Sequence, residues 1–442
     1  MDVSPQRRIE IINALRRGAV PAEGLDVLAV GLDRFEDAID RELEQVAAGH
    51  GIFKAVRGEY GAGKTFFVRW LEERARKQGF VTSEVQISET ETPLHRLETV
   101  YRAAMERLRT ESSGAGALPD IVERWFLQLE QTVLRSGEIE DSDPEAIEDA
   151  IGELMEERLG EITRSTPQFA SALRGYHEAM REGDTATAQG LLAWLGGQPH
   201  VGQGVKRQAD LKGEIDHFGA LNFLRGLLLL LRDAGYDGMV LVLDEVETLQ
   251  RVRSDVREKS LNALRQIIDY VEERRFPGLY IVITGTPAFY DGPQGIKRAD
   301  ALAQRLQSDF PEDPKYDNPR AVQIRLRGLQ RDQLVELGVK IRDLFIQGAD
   351  HPERVREKAD DDYIETLADA LAGRLGGNIR IAPRLFLKKL VENVLDPIDL
   401  YDDFDPRQDY ELTVKESEMT AEERAAASPN DIALDLDEDE DE

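Results

Sequence analysis

Apolar residues follow two periods along this chain, and the changes between them mark its elements. Residues 5–17 have helical spacing and predict a short amphipathic helix ending at Gly18, with 21–29 irregular. Leu32, Phe35, Ile39, Leu43 and Val46 then recur at three and four residues, one face of a helix that stops at Gly49-His50-Gly51. An apolar strand from residue 52 runs into glycine, a helix covers 64–78, and 80–88 reads as the next strand. Thr92-Pro93 opens a helix over 95–108, and the Ser/Gly-rich stretch 110–116 is a loop.

From 117 to 213 the period is helical throughout, with turn signals at Ser142-Asp143-Pro144, Thr166-Pro167 and Gly183-Asp184. The strand pattern returns later: a helix at 220–234, an apolar run at 239–243, a long helix carrying Leu261, Leu264, Ile268 and Val271, and strands at 279–284 and 322–326. Runs of five or so apolar residues are the mark of parallel strands covered on both faces. Residues 329–398 are helical, and from Tyr401 the apolar period fades. The expected organisation is a helical lead-in (1–50), a core in two parts (51–116 and 214–328), a helical insertion (117–213), a helical lid (329–400) and a disordered acidic tail (401–442).

Composition changes this picture in three places. The chain has 442 residues, enough for two or three domains. It contains no Cys, which excludes disulfides, thiol catalysis and zinc fingers and fits a reducing compartment; its six His show no metal-ligand spacing. The net charge is −30, with 17 acidic against 3 basic residues in 401–442 alone. Nucleic acid, if bound, must meet a local basic patch, because the surface as a whole is acidic. No apolar run is long enough to span a bilayer, and the first residues lack the apolar core of a secretory leader. A cytoplasmic protein with no membrane contact is expected.

Two stretches carry candidate chemistry. Gly58-Glu59-Tyr60-Gly61-Ala62-Gly63-Lys64-Thr65 is G-x-x-x-x-G-K-T between a predicted strand and a predicted helix, a phosphate-binding P-loop. Its glycines let backbone N–H groups converge on a phosphate, and the helix start adds a positive dipole end. Lys64 is expected to reach the β- and γ-phosphates of ATP from a solvent-facing position, and the Thr65 hydroxyl to hold Mg²⁺. The strand at 239–243 ends in Asp244-Glu245. Asp244 is placed as a Walker-B ligand of Mg²⁺ and Glu245 as the base that orients water.

The order of these elements resembles AAA+ ATPases, and within them the origin-recognition and initiator-like branch. The resemblance implies an α/β fold of the P-loop NTPase type, with a parallel sheet flanked by helices and a C-terminal helical lid. Residues 30–35 look like the motif that precedes the P-loop in that branch. Thr284 or Thr286 falls where a sensor-1 residue contacts the γ-phosphate. Arg380, with Arg384 second, looks like a sensor-2 arginine, and Arg305 like an arginine finger acting on a neighbouring subunit. Such a guanidinium has a fixed charge and spreads it over phosphate oxygens.

A narrower resemblance covers residues 5 to 398. The stretches 243–250, 257–269 and 283–289 are similar to the BrxC/BrxD-type ATP-binding family of BREX bacteriophage-exclusion systems. This implies an ATPase working in phage defence beside an Lhr-like helicase.

Two functions follow as expectations. One is an Mg²⁺-dependent ATPase that remodels or loads a partner or a nucleic-acid complex. The other is a nucleotide-gated switch with little turnover that controls assembly of a helicase partner. An ATP-grasp ligase is disfavoured, since such folds do not use this P-loop.

Overall fold

The computed structural model describes residues 3–136, 144–374 and 382–413. Its sheet has five strands: β1 (Ile52–Arg57), β2 (Val81–Gln86), β3 (Met239–Asp244), β4 (Leu279–Gly285) and β5 (Gln323–Arg325), in the spatial order β2-β3-β4-β1-β5. The β1–β4, β3–β4 and β2–β3 pairings are parallel. Every residue of β3 and β4 is buried, as expected of strands with helices on both faces. β4, later in sequence, lies between β1 and β3. Its register sets Thr284 beside Val56 of β1, and Ile283 beside both Ala55 of β1 and Leu243 of β3.

The chain forms two compact units whose borders cut across the segments read from the sequence. One comprises residues 35–57 and 71–324. It holds the predicted insertion, seen as helices Leu118–Ser136, Pro144–Ser165, Pro167–Arg181, Thr185–Leu195 and Gln203–Gln208. These helices do not build a core of their own. Trp125, Phe169 and Trp194 join one hydrophobic cluster with Val81, Leu241 and Ile281 of the sheet. Phe223, on the helix His217–Asp233, receives the edges of Trp194 and Phe169 at centroid distances of 5.3 and 5.5 Å. Two polar tips are also satisfied, Trp125 Nε1 donating to Asp233 Oδ2 at 2.6 Å and the Tyr101 hydroxyl to the Leu195 carbonyl at 2.8 Å.

Within the same unit a charged group lies under β1. The side chain of Lys54 is only 1% exposed, and its Nζ pairs with Glu42 Oε1 at 2.6 Å and donates to the Pro319 carbonyl at 3.0 Å. Glu42 also accepts the Tyr280 hydroxyl. Burial pushes the lysine pKa down and the Tyr280 phenol up. Helix Asp33–Ala47, β1 and β4 are thereby tied by a polar network in an otherwise apolar layer.

The other unit comprises residues 1–34, 58–70 and 325–442, described as far as 413. Helix Pro5–Arg16 packs Ile11, Ile12 and Leu15 into one cluster with Leu337, Ile341, Phe386 and Leu390 of the C-terminal helices. Arg16 makes a two-pronged contact with Asp396 at 2.6 and 2.8 Å, across 380 residues of sequence. The lead-in expected at 1–50 is therefore divided near residue 34, with its first part joined to the lid segment. The stretch 21–29, expected to be irregular, contains a helical turn at Leu25–Leu28, with both of those leucines buried. At Gly338 a Cβ would stand 2.7 Å from Ile364 and 2.9 Å from Phe386, so helix Arg331–Ile346 needs glycine there to approach its neighbours.

The acidic segment differs from expectation at its start. Residues 401–413 pack on this unit: Leu412 is buried, and Phe404 and Tyr410 lie against the same cluster. Lys358 Nζ donates to the carbonyls of Asp402 and Phe404, and Arg407 pairs with Asp360 at 2.6 Å. Phe404, Tyr410 and Leu412 are too widely spaced to show a period, which is why the pattern hid this docking. Residues 414–442 lie outside the described residues.

Candidate nucleotide site

The site residues fall in two groups. The first is the loop 58–63 with the start of helix Lys64–Lys77. Gly61 (φ 76°) and Gly63 (φ 88°) occupy the left-handed region that L side chains avoid. At Gly58 a Cβ would come within 3.2 Å of Ala62 and Lys64, so the loop also closes tightly on itself. At Gly63 it would meet nothing within 4 Å, which leaves open space over the helix start. The solvent-facing position expected for Lys64 is not observed. The residue is 7% exposed, and its Nζ donates to the Gly58 carbonyl at 2.9 Å and the Glu59 carbonyl at 3.4 Å, 5.0 Å from the Tyr60 ring centroid. An ammonium that would otherwise lose its water shell takes carbonyl partners from its own loop. Thr65 is half-buried at the second helical position.

The second group gathers at the carboxyl ends of β2, β3 and β4. Thr284, fully buried, donates its hydroxyl to Asp244 Oδ1 and accepts the backbone N–H of Glu245 at 3.0 Å. Glu245 N–H also reaches Asp244 Oδ1 at 3.1 Å. Glu245 has φ 60°, a left-handed conformation rare for a residue with a side chain. Such strain costs on the order of 1–3 kcal/mol and gathers at working sites. Gln86, the last residue of β2, donates from Nε2 to Glu245 Oε2 at 2.8 Å. Its register partner on β3 is Asp244. Gln86 was not visible as a site residue in the sequence; only the β2–β3 pairing brings it here. The one available signal was its place as a polar residue near the end of an apolar run.

The two threonine candidates for sensor 1 separate. Thr284 meets the Asp244 carboxylate and the Glu245 backbone, while Thr286 is buried ahead of the short helix Pro287–Asp291, its carbonyl accepting from Phe289 N–H. Arg305, on the helical turn Asp300–Leu306, pairs with Asp269 at 2.7 Å and Glu272 at 3.3 Å, both on helix Ser254–Glu272 of its own chain. Arg380 lies outside the described residues, and Arg384 is half-buried on helix Ala382–Lys389.

Thr65 and Asp244 each carry hard oxygen donors, the kind that Mg²⁺ prefers. Among the described residues no group of three or more His, Cys, Asp or Glu could hold a metal ion.

A glycine loop opening a helix, a buried strand ending in two carboxylates, and a five-strand parallel sheet are consistent with a P-loop NTPase-like fold in a mostly helical α/β protein. The chain belongs to the BREX system ATP-binding protein family BrxC/D, whose model matches residues 3–414. None of the curated proteins compared with the chain matches it. Membership makes this a protein of an ATP-binding family, and no described helix is long and apolar enough to cross a membrane.

Proposed function

We propose that the protein is an Mg²⁺-dependent ATPase of a BREX-type anti-phage system, spending ATP to remodel or load a partner or nucleic-acid complex. The observation that carries this reading is the double use of the Thr284 hydroxyl, which holds the Asp244 carboxylate and the Glu245 backbone together. An Asp244 carboxylate and a Glu245 backbone fixed this way are pre-organised, so little reorganisation is needed at the moment of reaction. Bound Mg²⁺ would supply charge neutralisation between the phosphates. Lys64 would leave its loop carbonyls for phosphate oxygens, and backbone N–H groups of residues 61–65 would cradle the same phosphates. Thr65 and Asp244 would hold the metal's shell, and Glu245 would orient the attacking water. Cytoplasmic location, an Lhr-like helicase partner and an AAA+-type lid formed by the C-terminal helices belong to this proposal.

One observation favours a second reading. Glu245 Oε2 is held by Gln86, and a restrained base turns over slowly. On this reading the protein is a nucleotide-gated switch that controls assembly of its partner. Phosphate release and ATP binding measured for wild type, Lys64→Ala and Glu245→Gln decide between the two. An ATPase loses turnover in both variants and keeps ATP binding in Glu245→Gln. A switch shows little turnover even in wild type, and its Glu245→Gln variant still assembles with partner. No Lys64-dependent ATP binding overturns both.

A further inference from the structure

A cleft of about 550 Å³ lies beside the amino-terminal half of β1, between helix Asp33–Ala47, the end of helix Ser254–Glu272 and the stretch 320–322. Asp244 and Glu245 stand at the opposite, carboxyl ends of the parallel strands, so the cleft is not part of the nucleotide chemistry. Its charges can be assigned one by one. Lys54 is committed to Glu42, and Arg305 to Asp269 and Glu272. Arg41 and Arg320 remain, both exposed, and among the described residues neither side chain has a hydrogen-bond or ion-pair partner. Two uncommitted guanidinium groups thus face one concavity on a chain whose net charge is −30. The lining between them is apolar, with Ile52, Val271 and Val322, and Val322 is 43% exposed. A ligand that satisfies this surface needs negative charge and aliphatic side chains together.

The chain itself carries that chemistry. Residues 431–442 read Asp-Ile-Ala-Leu-Asp-Leu-Asp-Glu-Asp-Glu-Asp-Glu, eight carboxylates in twelve positions. Ile432, Leu434 and Leu436 alternate with Ala433, Asp435 and Asp437, so an extended conformation would put those three large aliphatic groups on one side and Asp435 and Asp437 on the other. The family match covers residues 3–414 and does not reach this segment. We propose that the Arg41–Arg320 cleft binds the acidic–aliphatic segment 431–442 of a second copy of this chain. Guanidinium–carboxylate pairs supply the charge complement and steer the encounter, while Val322 and Ile52 meet the leucines. The proposal concerns self-association and does not rest on nucleotide turnover.

The test is sedimentation velocity of the full chain over a concentration series at 50 and 500 mM salt, without nucleotide. Three variants accompany wild type: Arg41→Glu/Arg320→Glu; Asp435→Lys/Asp437→Lys/Asp439→Lys; and Leu434→Ser/Leu436→Ser. The two arginines are exposed, and circular dichroism of each variant is compared with wild type to check that the fold is kept. The expected result is salt-sensitive self-association, weakened about tenfold or more in each variant. Mixing the first variant with the second should restore it, because the second variant's arginines meet the first variant's intact acidic segment, and the first variant's glutamates meet the second variant's lysines. Three outcomes overturn the proposal. One is a monomer at every concentration. Another is association indifferent to all three variants. The last is a labelled DNA duplex that binds through Arg41 and Arg320 while association does not respond, which assigns the cleft to nucleic acid.

Discussion

Gln86 Nε2 donates to Glu245 Oε2 at 2.8 Å, joining residues 159 positions apart at the ends of neighbouring strands. The bond restrains the carboxylate that the proposed mechanism needs as a base. Gln86→Ala is expected to raise partner-free phosphate release a few-fold and to reduce any stimulation by DNA or partner. Phosphate-release assays of wild type and variant, with and without each addition, check this. Turnover lowered in the variant would mean that Gln86 aims Glu245 and does not hold it back.

Thr284→Val keeps the shape and removes the hydroxyl. Asp244 Oδ1 then loses a donor and Glu245 N–H an acceptor in a fully buried position. The Glu245 N–H to Asp244 Oδ1 bond remains, and each intramolecular hydrogen bond lost contributes about 0.5–1.5 kcal/mol. Turnover is expected to fall at least tenfold with ATP affinity little changed, and Thr284→Ser should recover most of it. Thr286→Val, two residues on, should stay within a few-fold of wild type. Equal losses at both positions would remove the distinction drawn between them.

Arg305 is tied to two carboxylates of its own chain and is about one-third exposed. Ion pairs at that exposure contribute about 0–1 kcal/mol. Arg305→Ala should therefore leave melting temperature and phosphate release close to wild type. A thousandfold fall, rescued by mixing with Lys64→Ala protein, would instead assign Arg305 to a neighbour's nucleotide.

Lys54 and Glu42 form a buried pair with Tyr280 as third member. Lys54→Met strands the Glu42 carboxylate and is expected to cost about 3–5 kcal/mol in chemical denaturation. Lys54→Met/Glu42→Leu/Tyr280→Phe should recover most of that loss. The sign of the pH effect follows from the lysine's lowered pKa. The unfolded chain, with its lysine near 10.5, binds the proton more tightly, so the Lys54 contribution to stability rises with pH between the folded value and 10.5. A triple variant no more stable than the single one would show that the network does more than neutralise itself.

Chain ends at 413 and at 400 should behave differently. Stopping at 413 keeps Leu412 buried and the Arg407–Asp360 pair intact. Stopping at 400 removes both, with the carbonyls that Lys358 holds. Burying one leucine contributes about 1.5–3 kcal/mol, so a fall in melting temperature of about 4 °C or more is expected at 400 and almost none at 413. Differential scanning calorimetry of the two truncations is the check, and equal melting curves would show that 401–413 adds nothing.

The sequence by itself determined what depends on neighbours along the chain. Glycine conformations, a helix start and a five-residue apolar run are local, so the loop 58–65 and the pair Asp244-Glu245 could be read directly. The strands at 52, 81, 239 and 279 were legible for the same reason, and so were the helices within 117–213 and the breaks at Thr166-Pro167 and Gly183-Asp184, while the turn expected at Ser142-Asp143 lies outside the described residues. Tertiary structure decided everything that depends on which element lies beside which. An apolar face on helix Pro5–Arg16 shows that it is buried and not against what; the partner proved to be helices more than 300 residues away, fastened by Arg16 and Asp396. Thr284 and Thr286 have the same chemistry, and only the β4 register brings one of them to Asp244. Gln86 showed only as a polar residue near the end of an apolar run, because its contact with Glu245 comes from a parallel pairing across the sheet. Lys64 was misjudged as solvent-facing because the carbonyls that receive it come from the folded shape of its own loop. Local backbone preference is encoded residue by residue, whereas hydrogen-bond partners across a fold are set by strand order and packing, which no single stretch of sequence carries.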